Sequence, residues 1–436
     1  MKKIFLILMG ILIINGCLFA QEEMLSLKKA LEIGVKNNFS IQILETSAEI
    51  AKNTNTLGNA GFLPNVSAVA AYNSSNSNID IQYSSSTEEM KKNNAISTIE
   101  NVGLTLNWTL FDGMKMFATR QKLQELEDVG DLSVKIQLEN TISKIILAYE
   151  NIVYQKRLYD AIQEMIDLSV ERMKIAEKKF NVGSSSKQDY LQAKVDLNAQ
   201  QSGLIRQKTM LRQSMINLNE LLAMDVEKTW KTEDTILITY KPSYNDLKKT
   251  ILSQNTSLMM SQKNMRVSDL SVKEVNSLRF PRLGFNSGYN YTRTENQVGQ
   301  VLLNKNLGLS YGFTLSFPIY EGHTLTTQLE NAKLNSLGSR LENSDITLQV
   351  QSDLLFAYET FQDAQELFTL EKLNLGNARE NLDVAMKSYK LGSTSSLDLI
   401  TAQKSYFDAV SRLLTSLYTT KAAEVGLMKL NGDLIK

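Results

Sequence analysis

Apolar residues along this 436-residue chain follow two spacings, a three/four period over long stretches and every second residue over short ones. From Leu27 to about Leu57 the positions Leu27, Ala30, Leu31, Gly34, Ile43, Leu44, Ser47 and Ile50 share one helical face, and a copy runs from Leu247 to about Leu278. Each copy then meets a proline, Pro64 or Pro281, which cannot continue a helix and turns the chain into extended structure. Strand alternation follows. Leu104, Leu106, Trp108 and Leu110 alternate with Thr105, Asn107 and Thr109, as Phe313, Leu315, Phe317 and Ile319 do with Thr314, Ser316 and Pro318. Leu283, Phe285, Tyr289 and Tyr291 form a third such set, and Val66, Ala68, Ala70 and Tyr72 a weaker fourth. The connection from Asn73 to Asn94 is rich in Ser and Asn and reads as a long loop.

From Gly113 to about Val182, and again from Gly322 to about Leu391, the helical period returns over some 65 residues, a rod of about 100 Å. In the first copy Ile142, Ile145, Tyr149, Ile152, Tyr159 and Ile162 lie on the apolar stripe; in the second, Leu354, Tyr358, Phe361, Phe368 and Leu375 do. Return helices run from about Ser186 to Leu222 and from Ser395 to Leu430. The turns between rod and return helix are Phe180-Asn181-Val182-Gly183-Ser184-Ser185-Ser186-Lys187-Gln188-Asp189 and Tyr389-Lys390-Leu391-Gly392-Ser393-Thr394-Ser395-Ser396-Leu397-Asp398. In each, a glycine suits the left-handed residue that ends one helix and Ser-x-x-Asp suits the cap of the next.

These turns lie 209 residues apart, and the same offset aligns Gly103–Gly113 with Gly312–Gly322 and Leu218–Leu221 with Leu427–Leu430. Upstream the offset is 217, where Phe62–Val66 meets Arg279–Leu283. One unit therefore occurs twice. The expected organisation is a signal peptide at 1–20, a first repeat at 21–225, a linker at 226–245 with a short strand at Thr235–Tyr240, and a second repeat at 246–436.

The first residues read as an export signal: Lys2 and Lys3, an apolar run from Ile4 to Ile14, then Leu18-Phe19-Ala20. Cys17, the single cysteine, ends a stretch Ile14-Asn15-Gly16-Cys17 that resembles a bacterial lipoprotein site, so two readings stand, cleavage after Ala20 or acylation of Cys17. No later segment offers the ~20 consecutive apolar residues of a membrane helix. The strands remain as the means of crossing a bilayer. Their alternation fits a soluble sheet with one wet face as well as a barrel, but the export signal, strand lengths near ten residues and terminal Trp and Tyr favour a barrel. Four strands cannot close one, so several chains must contribute.

Charge balances at 47 basic and 47 acidic residues, which gives no electrostatic footprint for nucleic acid. Catalysis has nothing visible to rest on: His323 is the only histidine and no phosphate-binding loop is present, so neither enzyme activity nor a cofactor or metal is expected.

The duplicated strand–helix halves, Phe180-Asn181-Val182-Gly183 followed by Asp189, and Tyr389 followed by Gly392 and Asp398, resemble the TolC family of outer-membrane efflux and type I secretion ducts. The likeness covers nearly the whole mature chain. It implies an α+β membrane protein of the outer membrane, a homotrimer whose twelve transmembrane strands form one barrel and whose helical hairpins form an α-barrel in the periplasm. It also implies a periplasmic adaptor docking at Gly183, Ser184, Gly392 and Ser393, an inner-membrane pump of the RND or ABC class, and lipid of the outer membrane as partners. By the same resemblance Asp189, Tyr389 and Asp398 match a gate at the periplasmic entrance, whereas by position alone Asp189 and Asp398 are helix caps. Thr394 and Thr401 stand where a compared member of that family has an arginine and a second aspartate, which weakens the expected acidic ring. The competing reading from another class is a non-transport periplasmic coiled-coil scaffold with a small soluble sheet.

Overall fold

The computed structural model describes residues 24–82, 84 and 89–435; the expected signal peptide and Cys17 lie outside them. In chain order the elements are α1 (Leu27–Asn37), α2 (Phe39–Thr54), β1 (Asn65–Gln82), β2 (Glu89–Phe111), α3 (Lys115–Asn181) and α4 (Lys187–Leu221). The second repeat supplies α5 (Tyr244–Gln254), α6 (Thr256–Ser277), β3 (Arg282–Asn296), β4 (Leu303–Ser316), α7 (Thr324–Leu391) and α8 (Ser396–Leu430).

Residues 46–132 and 260–345 form a compact unit around one antiparallel meander of order β1-β2-β3-β4. Phe285 and Phe313 face each other across β3 and β4 with ring centres 5.1 Å apart. Side chains alternate faces, and the apolar row of β4 at Leu307, Leu309, Tyr311, Phe313 and Leu315 is left open: Leu309 is 65% and Leu315 72% exposed. A soluble sheet buries its apolar face; this one presents it outward. The outer strands β1 and β4 each carry one unpaired edge.

The other unit holds residues 24–45, 133–259 and 346–435. Its first core packs Leu25, Ala30, Ile145, Tyr149, Ile152, Leu218, Trp230 and Ile236. The second repeat builds the equivalent core from Leu247, Ile251, Leu354, Phe361 and Leu427. Ala30, Ile145 and Leu218 correspond to Leu247, Leu354 and Leu427 at the repeat offsets, so the duplication is packed twice and not merely written twice.

Four expectations need correction. The helix expected from Leu27 to Leu57 is two helices broken at Asn38, and its copy is broken at Asn255. Each Asn accepts the first N–H bonds of the next helix, from Ser40 at 3.1 Å and from Leu258 at 2.9 Å. Each also donates across the core, Asn38 to the Leu221 carbonyl at 3.0 Å and Asn255 to that of Leu430 at 2.9 Å. The supposed loop from Asn73 to Asn94 is mostly strand, because β1 and β2 keep pairing as far as Gln82 and Glu89; Ser and Asn there satisfy a ladder exposed to water. β4 stops at Ser316, since Pro318 removes a ladder donor. Thr235–Tyr240 joins no ladder: the N–H groups of Thr239 and Tyr240 donate instead to the Glu424 carboxylate at 2.8 and 2.7 Å.

Glu424 is fully buried, and Lys421 pairs with it at 2.6 Å. Nearby Glu150 is also buried, and burial, opposed by Lys421 and reinforced by Glu233 and Glu424, pushes its carboxyl up to about 7. A carboxyl raised in this way contributes stability that is full below the ordinary value near ~4.3 and is lost as pH rises to about 7.

Two outcomes follow. Leu309→Arg, on the apolar face, costs about 2–4 kcal/mol where that position meets mid-bilayer, and Ser310→Arg on the other face costs far less, read by unfolding in lipid vesicles. Equal costs would remove the assignment of faces. Glu150→Gln flattens the loss of melting temperature that the parent shows between about pH 4.3 and about pH 7; an unchanged profile would show that Glu150 is not the titrating group.

Candidate functional site at the hairpin tips

Both tips end their rods in the same way. Gly183 and Gly392 take φ of +79°, a conformation glycine adopts without strain. Ser184 N–H donates to the Lys179 carbonyl (2.8 Å) and Gly183 N–H to that of Phe180 (2.9 Å); Ser393 donates to Ser388 (3.0 Å) and Gly392 to Tyr389 (3.1 Å). These paired bonds are the Schellman closure that the sequence predicts. The hydroxyls of Ser184 and Ser393 fold back onto the same Lys179 and Ser388 carbonyls. Space around Gly183 and Gly392 is open, so the outermost backbone of each tip is bare.

The return helices start as expected. Ser186 accepts from Asp189 N–H at 3.2 Å, and Ser395 from Asp398 N–H at 3.2 Å. Asp398 completes a full capping box: its Oδ2 accepts from Ser395 N–H (3.1 Å), Ser395 Oγ (2.6 Å) and Thr394 Oγ1 (2.9 Å). Hydrogen bonds from Ser395 first, then Thr394, hold this exposed carboxyl below the usual carboxylate range. Asp189 differs: among the described residues its side chain accepts from Ser185 Oγ alone, at 2.7 Å. Thr394 therefore supplies a neutral donor to Asp398, while Thr401 Oγ1 is spent on the Leu397 carbonyl of its own helix.

Tyr389 lies inside the bundle, 4% exposed, packed with Met165, Leu382, Met386, Leu399, Ala402 and Tyr406. Burial raises its hydroxyl above the ordinary tyrosine value; Ser396 and Arg172 oppose this, and Asp189 adds to it through its charge. Within one chain its hydroxyl thus answers to Ser396 by hydrogen bonding and to Asp189 only through space. Lys179 joins the two hairpins here, donating to the Tyr389 carbonyl at 2.7 Å with its ammonium 4.2 Å from the Tyr389 ring centre. Lys390 pairs with Glu171 at 2.5 Å in the same layer.

Sequence reasoning missed Arg172, which is 1% exposed between the hairpins. It pairs with Asp196 of α4 and donates to Gln403 Oε1 of α8 at 3.2 Å. An Arg on a helical stripe otherwise made of Ile162, Met165, Ser169 and Ala176 was the available signal.

Against this geometry stand the relatives. The sequence profile of the family described as outer membrane efflux protein matches residues 32–224 and 247–433. The chain belongs to the outer membrane efflux protein family. It is 21% identical over 348 residues to the outer membrane protein TolC of Salmonella enteritidis, covering 75% of this chain and 68% of that one. To the alkaline protease secretion protein AprF of Pseudomonas aeruginosa it is 19% identical over 400 residues, 90% of this chain and 82% of that one. Its fold superposes on the Campylobacter jejuni CmeC outer membrane channel with a TM-score of 0.79 at 17% identity, over 93% of this chain and 85% of that one. The chain is accordingly a protein of the outer membrane with helices reaching into the periplasm, and the soluble scaffold is ruled out.

Asp398→Asn removes a carboxylate stabilised in the folded state. Its contribution is present above the ordinary value near ~3.9 and is lost as pH falls through the lower folded value. The parent's tip helices lose order in acid below about pH 4, measured by hydrogen exchange of residues around 395–400; the variant starts lower at pH 7 and shows less of that acid loss. An identical acid profile in parent and variant would show that the cap is not the titrating element.

Proposed function

We propose that three copies of this chain close a single barrel whose lumen is the exit duct for substrates expelled or secreted from the cell. The supporting observation is the four-stranded meander with an uncovered apolar face and two open edges. Two copies would give eight strands, whose interior side chains fill the bore; three give twelve and leave room for an aqueous lumen. An even number of strands per chain lets β4 of one copy meet β1 of the next in the antiparallel sense already used within the chain.

In this reading the duct is passive and is not an enzyme. A periplasmic adaptor docks where the bare backbone at Gly183, Ser184, Gly392 and Ser393 leaves room for a partner, and an inner-membrane transporter of the RND or ABC class supplies the energy. The relatives' names span efflux and alkaline protease secretion, so the cargo is set by that transporter.

The gate reading and the capping reading coexist in Asp398: one oxygen serves the cap, and the carboxylate stays charged at the exposed tip. Three such groups around a symmetry axis would attract multivalent cations. Tyr389, by contrast, acts by fixing the second hairpin against the first, with Asp189 acting on it through charge. In planar bilayers Tyr389→Phe with Asp189→Ala raises single-channel conductance, and Asp398→Ala weakens block by a trivalent cation added from the tunnel side. Parent-like conductance and block in both variants, with only a lower melting temperature, would leave these residues as caps and packing.

A further inference from the structure

The two repeats differ where the sheet meets the long helices. In the first, Phe62 and Phe117 pack edge to face, with ring centres 5.1 Å apart and planes at 90°, and Phe117 also borders a cleft of about 320 Å³ with Lys273 and Phe280. Trp108 Nε1 donates to the Phe62 carbonyl at 2.9 Å, and the Asp112 carboxylate accepts from Met116 N–H at 3.0 and 3.1 Å. At the repeat offsets Phe62, Phe117, Trp108 and Asp112 become Arg279, Thr326, Phe317 and Glu321. The aromatic pair is gone, and the cleft of about 270 Å³ at this junction is lined by a cation and an anion, Arg279 and Glu321, together with Phe317, Ile319, Tyr320 and His323 among others.

The cleft has a chemical gradient. Phe317 and Ile319 prolong the apolar row of β4 beyond Ser316; Ile319 is 91% exposed in the single chain, and its counterpart Leu110, beside which β3 pairs with β2, still keeps 37%. Tyr320, 75% exposed and edge to face with the His323 ring at 5.7 Å, stands where an interfacial aromatic belongs. Next come a cation and an anion, Arg279 and Glu321, and among the described residues Arg279 forms no ion pair. A planar guanidinium matches a phosphate diester, and a carboxylate matches an ammonium with N–H donors.

We propose that this cleft holds the head group of a phospholipid carrying a primary amine, from the periplasmic leaflet of the outer membrane. Arg279 binds the phosphate, Glu321 the amine, and the acyl chains lie along Phe317 and Ile319. The continuity of the cleft with the lipid-facing row favours a lipid over a soluble anion. The proposal rests on the outer-membrane placement, is independent of the gate, and puts the lipid beside the seam where β1 of the next copy meets β4.

Native mass spectrometry of the detergent-solubilised full chain tests it, with phosphatidylethanolamine, phosphatidylglycerol and inorganic phosphate as probes. The parent retains phosphatidylethanolamine in preference to phosphatidylglycerol, and inorganic phosphate does not displace it. Arg279→Gln lowers that affinity about tenfold or more, and Glu321→Gln narrows the preference over phosphatidylglycerol. The double variant Arg279→Phe, Thr326→Phe rebuilds the aromatic pair of the first repeat, so it folds with the cleft filled and loses the lipid while channel conductance stays parental. Equal retention by parent, Arg279→Gln and the filled variant would overturn the site. Displacement by inorganic phosphate would make it a soluble-anion site, and an equal preference for the two lipids in the parent would remove the amine contact.

Discussion

Backbone pairing at the sheet edges constrains everything else in this molecule. Hydrocarbon offers no partner to an N–H or C=O group, each unsatisfied group costs several kcal/mol, and a meander of four strands leaves one edge of β1 and one of β4 open. The chain cannot resolve this alone. Its exposed apolar row says that lipid is the intended surroundings, and its open edges say that other copies must complete the sheet. Oligomerisation is thus not an addition to the fold but the condition under which the fold can sit in a membrane.

Duplication makes this economical. The same strand–helix unit is used twice, and its two cores pack equivalent positions, Ile145 with Leu218 and Leu354 with Leu427. The tips repeat the same closure at Gly183 and Gly392. Where the repeats part, function is the natural reason to look for. At the first tip the Asp189 carboxylate accepts from Ser185, and at the second Asp398 completes a capping box; the first junction carries the aromatic pair Phe62 and Phe117, and the second places Arg279 and Glu321 there.

Much of this is legible in the amino-acid sequence. The period change from two to 3.6 locates the strands and rods, because burial on one face imposes it, and Gly with Ser-x-x-Asp locates the tips, because only such residues satisfy helix ends locally. What escapes has a common cause: partners distant in sequence. Asn38 and Asn255 break helices by bonding Leu221 and Leu430 nearly two hundred residues away, and Thr239 and Tyr240 look like a strand but give their N–H groups to Glu424. Tyr389 fits the apolar stripe and the gate alike; the structure packs it among Met165, Leu382 and Tyr406 inside the tip.

The central claim is that β4 of one copy pairs with β1 of another until the ring closes at three. With Cys17 the only native cysteine, one engineered cysteine on β1 and one on β4, oxidised in the outer membrane, report that pairing directly. Scanning the β1 cysteine along the strand covers the unknown register. Closure at three predicts that, at the matching register, covalent species stop at the trimer, with the same mass in detergent before oxidation. A folded monomer in the membrane, or a ladder continuing past three, would contradict it.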